Sequence, residues 1–456
     1  MEKGAEAQYK RMTEEPVKRL ILLLSIPTVV SMLVTSVYNM ADTYFVSKLG
    51  TSATAAVGVV FSLMAIIQAV GFTVGMGSGS IISRMLGEKR DDDATKIASS
   101  GLFLGILLGL IITAVSIMNI TDLMLLFGAT KTILPYAKSY ATYIIFGAPV
   151  MIGSFILNNI LRSQGCAKYA MWGIASGGIL NVVLDPVLIF VFDMGMSGAA
   201  LATLISQCIG FFILLFFFLA GKSQTRLKLS KISHNIMDYL SILKAGLPSF
   251  SRQGLSSIST MFLNRSARIY GDAAVAAMGV VGKIFMIIFS LLVGIGQGAQ
   301  PVIGYNYGAK KYKRVKKAVT FTCTLGTILM TVLAIAVFFF AQVLVARFTK
   351  GDAKVLEIGT FALRIYSLVL PIMPINMVCN ITYQIIGKSW RATILSCARQ
   401  GIFFLPLILI LPKYLGILGV QIAQPVADVL TAIFSLPFGY YFIKELNDGI
   451  KNTVQE

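Results

Sequence analysis

Apolar residues in this chain neither alternate nor stripe a single helix face. They run in blocks, most of them long enough to cross a bilayer as a helix. We count twelve, roughly 20–47, 52–80, 96–118, 133–160, 169–192 and 196–220, then 240–268, 273–303, 317–343, 356–385, 391–412 and 417–443. No backbone group can stay unpaired in hydrocarbon, so the pattern predicts helices and an all-α polytopic membrane protein. Basic residues crowd the even-numbered connections. Arg84, Lys89, Arg90 and Lys96 follow the second block, Arg162 and Lys168 the fourth, and Lys310, Lys311, Lys313, Arg314, Lys316 and Lys317 the eighth. The opposite loops are short or mixed, with Lys48, Asp193 and Lys413 nearly alone. Basic loops stay in the cytoplasm, so both termini are expected there, in a multi-pass protein of the cell (plasma/inner) membrane.

Composition agrees. The 456 residues are 56% hydrophobic and 13% charged, with a mean hydropathy of +0.79, which is too apolar for a soluble globular domain. The first 19 residues are polar and mixed in charge and a full-length apolar block follows, so no cleavable signal peptide is expected. A net charge of +19 invites a nucleic-acid reading. The basic residues lie in alternate loops, however, so the expected partner is the lipid bilayer and not nucleic acid. Cys166, Cys208, Cys323, Cys379 and Cys397 are scattered along predicted spans without CxxC spacing, as small core residues would be.

The chain repeats itself. Pro27 matches Pro248, 221 residues later (248 − 27). The same offset carries Gly50 to Gly271, Ala56-Val-Gly-Val-Val60 to Ala277-Met-Gly-Val-Val281, Gly87 to Gly308 and Gly195 to Gly416. Six spans per half is an even number, so the halves are parallel: two six-helix lobes related by a pseudo-two-fold along the membrane normal. The expected division is a cytoplasmic segment 1–19, a lobe 20–220, a cytoplasmic linker 221–239, a lobe 240–443 and a tail 444–456.

Candidate chemistry starts at Asn181-Val-Val-Leu-Asp185-Pro186, inside the fifth span. A carboxylate in hydrocarbon is costly and by default functional. Asn181 and Asp185 share a helix face, and Pro186 removes the donor that would bond Val182 O, so a kink there would free carbonyl oxygens beside them. The alternative is a hydrogen-bonded packing pair between helices. Asp42 lies six residues before Lys48, about 9 Å below the surface. Asp185 and Thr203 each lie eight residues from a loop residue, about 12 Å in. Asp42, Asn181, Asp185 and Thr203 therefore share one level. By the offset they correspond to Leu263, an apolar run near Ile402–Leu407, and Gln424, so the polar set is expected in the first lobe only. Oxygen ligands suit a hard cation such as Na⁺, and two neighbouring desolvated carboxylates suit a shared proton equally well.

With these residues in view the chain resembles the multidrug and toxic compound extrusion (MATE) family of antiporters, in its MepA-like bacterial branch. The resemblance spans nearly the whole chain. It rests on Asn39-Met-Ala-Asp42-Thr-Tyr, on Gly165 with Asn181-Val-Val-Leu-Asp185-Pro186, and on Gln300-Pro-Val-Ile-Gly-Tyr-Asn-Tyr-Gly308-Ala-Lys. It implies a cation-coupled (Na⁺ or H⁺) antiporter that exports amphipathic, often cationic, drugs and toxins by rocking-bundle alternating access. The coupling site would be Asp42, Asn181, Asp185 and Thr203, with Pro186 as kink or gate. The second-lobe acids of NorM-type members are missing at the matching place, where Gln253 and polar neighbours stand.

Other residues are open to two readings. Lys283, near mid-span, is a counter-charge to Asp185 or Asp42 or a lysine snorkelling to an interface. Arg399 is expected to snorkel, and His234 to be solvated in the linker. Phe61, Met64 and Met286 are packing residues or an adaptable cavity wall, with Asn39, Gln68 and Gln297 adding polar contacts. Pro149, Pro371 and Pro374 are expected to bend spans four and ten. A flippase for a lipid-linked precursor is the alternative; it would need several basic groups, for which only Lys283 and Arg252 offer themselves. An intramembrane enzyme finds no His-Glu-x-x-His pattern, and ATP use finds no phosphate-binding glycine loop. No cofactor and a monomeric state are expected.

Overall fold

The computed structural model describes residues 2–349 and 352–455. The apolar blocks are helices because each must satisfy its own backbone in lipid. In the first half these are α1 (Glu2–Glu14), α2 (Val17–Ser47), α3 (Thr51–Gly87), α4 (Asp91–Met118), α5 (Ile120–Leu126), α6 (Leu134–Ser163), α7 (Ala167–Pro186) and α8 (Gly195–Leu219). In the second half they are α9 (Ile236–Arg268), α10 (Asp272–Gly308), α11 (Tyr312–Ala346), α12 (Ala353–Val369), α13 (Met373–Ile385), α14 (Ser389–Cys397), α15 (Leu405–Leu415) and α16 (Ile417–Gln455). The fold is twelve membrane helices in two lobes; α12 with α13, and α14 with α15, each make one span.

Several expectations shift in detail. Among the described residues eleven spans are long and apolar enough to cross a membrane, and α9 is not one of them. It has the length but carries Lys244, Arg252, Gln253, Arg265 and Arg268, of which Lys244, Arg265 and Arg268 are exposed. The polar N-terminal segment contains helix α1. It is tucked beneath the bundle, with Met12 buried, Gln8 Nε2 donating to Gln164 O (3.0 Å) and Asn306 Nδ2 donating to Met12 O (2.9 Å). The tenth span breaks at Leu370–Ile372, where Pro371 sits, whereas α6 runs through Pro149. The linker is not loose. Gln164 Oε1 accepts from Ser223 Oγ (2.7 Å), Gln224 N (2.8 Å) and Thr225 N (3.2 Å), while His234 is exposed.

The repeat survives in three dimensions. Gly50 and Gly271 turn the chain at φ 113° and 93°, a conformation that costs glycine little. Lys89 and Lys310 match at φ 61° and 54°. Asn158 Nδ2 donates to Ala170 O (2.9 Å) as Asn380 Nδ2 does to Ala392 O (2.7 Å). Gly87 packs on the backbone carbonyl of Tyr305, and Gly308 on that of Arg84. Those two contacts exchange under the 221-residue offset (84 + 221 = 305; 87 + 221 = 308), as a pseudo-two-fold requires.

The halves meet toward the end of the bundle that carries the termini and the basic loops. Ser25 Oγ donates to Ile295 O (3.4 Å), Gly294 lies on Val29, and Gly246 lies on Thr73. Ser36 and Ser290 hydroxyls meet at 2.8 Å. Farther from the basic end α3 and α10 expose Phe61 and Met286, and a Cβ on Gly58, Gly279 or Gly282 would meet nothing within 4 Å. A cleft between the lobes therefore opens away from the basic end.

Candidate functional site

Four helices of the first half converge near the end opposite the basic loops. α2 supplies Asp42, α6 Tyr140, α7 Asn181 and Asp185, and α8 Thr203. Asn181, Asp185, Thr203 and Tyr140 are buried and Asp42 is half-buried. Asn181 Nδ2 donates to Asp185 Oδ1 (3.1 Å) and lies 3.4 Å from Thr203 Oγ1. The Thr203 hydroxyl donates to Ala199 O (3.1 Å). The Tyr140 hydroxyl donates to Asp42 Oδ2 (3.3 Å) and also faces Thr203. The four expected residues thus stand together, with Tyr140 bridging them. Sequence reading missed Tyr140. Its only signal was depth, because it enters α6 near the same end at which Asp42 leaves α2.

This cluster is short of donors. Asp42 Oδ1, Asn181 Oδ1 and Asp185 Oδ2 are buried and have no hydrogen-bond partner among the described residues. Leaving three acceptors so is expensive. What they lack is positive charge or a proton, and their chemistry, all oxygen, suits a hard cation or a proton shared between carboxylates. Beside them a hollow of about 40 Å³ is bordered by Tyr38, Ser154, Ser206 and Gln207. The Ser154 and Ser206 hydroxyls there also lack partners among the described residues. Pro186 ends α7, and the next residues widen into a π turn, Val187–Val191. The irregularity expected at the proline therefore takes the form of a wider turn, of a kind that recurs at functional sites.

The second half was read as lacking buried acids, and the structure corrects this. Asp428 of α16 is buried and holds Arg399, which lies on the π-helical stretch Ala398–Phe404 between α14 and α15. Arg399 Nε donates to Asp428 Oδ1 (2.6 Å) and Nη2 to Oδ2 (3.4 Å). Gln424 Nε2 donates to Oδ1 as well (3.0 Å). The guanidinium also lies over Phe289 (5.0 Å) and Phe285 (5.6 Å). Arg399 therefore does not snorkel. The signal was present: Gln424 and Asp428 have the same four-residue amide–carboxylate spacing as Asn181 and Asp185.

A cavity of about 230 Å³ lies beside this pair, closed on the first-half side by Met32 and Phe72. Of the residues expected to form a cavity wall, Gln297 lines it, while Asn39, Gln68, Met64, Phe61, Lys283 and Met286 do not. Met64 is in the core, Phe61 and Met286 are exposed, and Asn39 and Gln68 are half-buried. Lys283 is exposed and forms no ion pair with Asp42 or Asp185 among the described residues. Arg162, expected in a basic loop, is buried where the halves meet and donates to Gln297 and Asn159.

A family model described as MatE matches residues 27–187 and 248–410, one stretch in each half. The multidrug export protein MepA of Staphylococcus aureus (strain N315) is 30% identical over 440 residues, covering 95% of this chain and 96% of that protein. An outward-facing multidrug resistance MATE family transporter of the MOP superfamily superposes with a TM-score of 0.91 at 28% identity, over 96% of this chain and 98% of that one. A MATE solved in a straight conformation gives 0.91 at 29% identity, over 96% and 99%.

Proposed function

Because the chain belongs to the MatE family of membrane transporters, we propose that it is a cation-coupled antiporter exporting amphipathic small molecules by alternating access. The observation that carries this reading is the trio of donorless buried oxygens on Asp42 of α2 and on Asn181 and Asp185 of α7. With the basic end in the cytoplasm, the cleft faces outward and the trio lies near its mouth. Lobes of 20–220 and 240–443, joined through 221–239, are the bodies that rock. Na⁺ or a proton entering from outside neutralises the carboxylates and draws α2 and α7 together. The π turn after Pro186 gives α7 a place to adjust. Occupancy shifts the balance of states only by differential affinity, so the cation must bind one lobe arrangement better than the other. Loss of the drug-bound state and release to the outside follow from that difference. The relatives named multidrug exporters make amphipathic, often cationic, compounds the first substrates to try.

The test is efflux from proteoliposomes containing only this protein, with Na⁺ and proton gradients imposed separately. One gradient should drive efflux, and Asp185→Asn should abolish the drive at normal protein level. Wild-type rates in Asp185→Asn would refute the coupling role. Drive by Na⁺ alone would support coordination by the four side chains, and drive by protons alone would support a shared-proton relay.

A further inference from the structure

The second-half cavity carries the opposite charge to the first-half site. Its lining includes Arg252, Arg399 and Asp428, a formal sum of +1 (2 − 1). The Asp428 carboxylate is already engaged at both oxygens by Arg399, with Gln424 also on Oδ1. A cationic ligand would have to break that pair to reach it. Arg252 is half-buried on this wall and has no hydrogen bond or ion pair of its own among the described residues, the one acid of the lining being taken by Arg399. The neutral polar groups favour neither sign: the Asn376 carboxamide meets Ser435 Oγ (3.0 Å), whose proton also reaches Thr431 O (2.7 Å), and Gln400 Oε1 is a buried acceptor without a partner among the described residues, so the arginine sets the charge. The remaining wall is soft and apolar, with Phe72, Phe289, Val293, Met373 and Met377. Such side chains fit varied apolar bodies without selecting one shape.

We propose that this cavity holds the anionic group of an amphipathic substrate against the Arg252 guanidinium, so that the chain prefers organic carboxylates, sulfonates or phosphates, and zwitterions bearing them, over simple cations. The planar guanidinium presents a donor fork that fits such groups, and in a buried setting the match is strong. The Arg399–Asp428 pair closes one side of the site and keeps a second guanidinium oriented without offering a free acid. The inference deepens the export reading by naming its substrate class and rests on it.

Two dyes with one body make the test. Rhodamine 19 carries a free carboxylate, and rhodamine 6G is its ethyl ester and a plain cation. Their binding to the full-length, detergent-purified protein is followed by fluorescence polarisation, with no gradient imposed. Failure here would therefore leave coupled efflux standing, and failed efflux would leave this preference standing. The acid should bind roughly tenfold more tightly than the ester or better, and Arg252→Gln should bring the two to parity. Arg252→Lys keeps the charge and should retain the preference at reduced affinity, which guards against a folding defect in the glutamine variant. Equal affinities, tighter ester binding, or no measurable binding of the acid would each overturn the proposal. So would a preference that Arg252→Gln leaves intact. Competition against the bound acid by dihexanoyl phosphatidate and by octyl sulfonate then separates a lipid headgroup from a free organic anion as the source of the charge.

Discussion

Removing one partner of the Arg399–Asp428 pair should be far more damaging than removing both. The pair is 16% and 2% exposed at its side chains, so little solvent reaches it. Asp428→Leu strands a guanidinium between Phe285 and Phe289 and deprives the Gln424 amide of its acceptor. Arg399→Met strands a carboxylate that only Gln424 still serves. An unpaired buried charge of this kind costs about 3–5 kcal/mol, and the residual exposure of Arg399 argues for the lower end, about 3 kcal/mol for each single change. In the double variant no charge remains. Methionine keeps contact with the two rings, leucine fills part of the carboxylate's space, and the net change should be about 1 kcal/mol or less. The coupling is then about 5 kcal/mol (3 + 3 − 1). Apparent melting of the detergent-purified chain, read as monomer surviving on size exclusion after heating, measures it. At about 2 °C per kcal/mol each single variant should lose about 6 °C, and the double should recover most of that. A double variant that loses the sum of the singles would refute the reasoning, because the two groups would then not be balancing each other.

Other consequences can be checked separately. Gln164→Leu leaves the Gln224 and Thr225 amides and the Ser223 hydroxyl without their shared acceptor, a loss of about 1–3 kcal/mol from local order, so trypsin should cut the linker at Lys222 and Arg226 several-fold faster. Gly87→Val drives side-chain carbons into the Tyr305 carbonyl and should destabilise the closed basic end, lowering the melting temperature, whereas Gly58→Val meets open space and should not. At the membrane edge, the hydrogen bond from Lys96 at 2.7 Å, followed by that from Ser233, holds the Asp238 carboxyl below its usual 3.8. A lowered value means the contribution is complete above about pH 4 and is lost as pH falls below it, so wild type and Asp238→Asn should differ by about 1 kcal/mol or less at neutral pH and converge in acid.

The lengths of the helices, the repeat and the first-half carboxylates were legible because each writes itself in the chain. Hydrocarbon demands long apolar runs, duplication preserves glycines at a fixed offset, and an acid in lipid stands out. What was not legible depends on rotation about helix axes. Met64 and Phe61 are three residues apart on α3, yet one lies in the core and the other is exposed. Lys283 looked central from its depth alone, and the structure leaves it exposed on the same face of α10 as Gly279 and Met286, without an acidic partner among the described residues. Asp428 does not answer to either first-half acid, because the offset carries Asp42 to Leu263 and Asp185 into an apolar run, and the second half places its acid elsewhere. Arg162 was read as a loop charge because it follows an apolar block by only a few residues, whereas α6 continues to Ser163 and carries it inside.

That displacement of the acid has a consequence for how the duplicated scaffold divides its work. By the 221-residue offset Arg399 corresponds to Gly178 (399 − 221) and Asp428 to Gln207 (428 − 221). Both first-half residues border the small hollow under the Asp42–Asp185 cluster, where Gly178 packs against Tyr38 and Val34. The same inherited space is therefore uncharged and about 40 Å³ in one lobe, and charged and about 230 Å³ in the other. In the first lobe the acids sit one step outward from it, on α2 and α7, and are left short of positive charge. In the second the acid sits inside it, already matched, with a further arginine to spare. A cation is thus what the first lobe lacks and an anion is what the second lobe lacks. Under the proposed exchange, two ligands of opposite charge, bound in lobes that rock against each other, would compete through the arrangement of the lobes and not for one set of side chains. An exchanger built this way needs no overlap between its two sites.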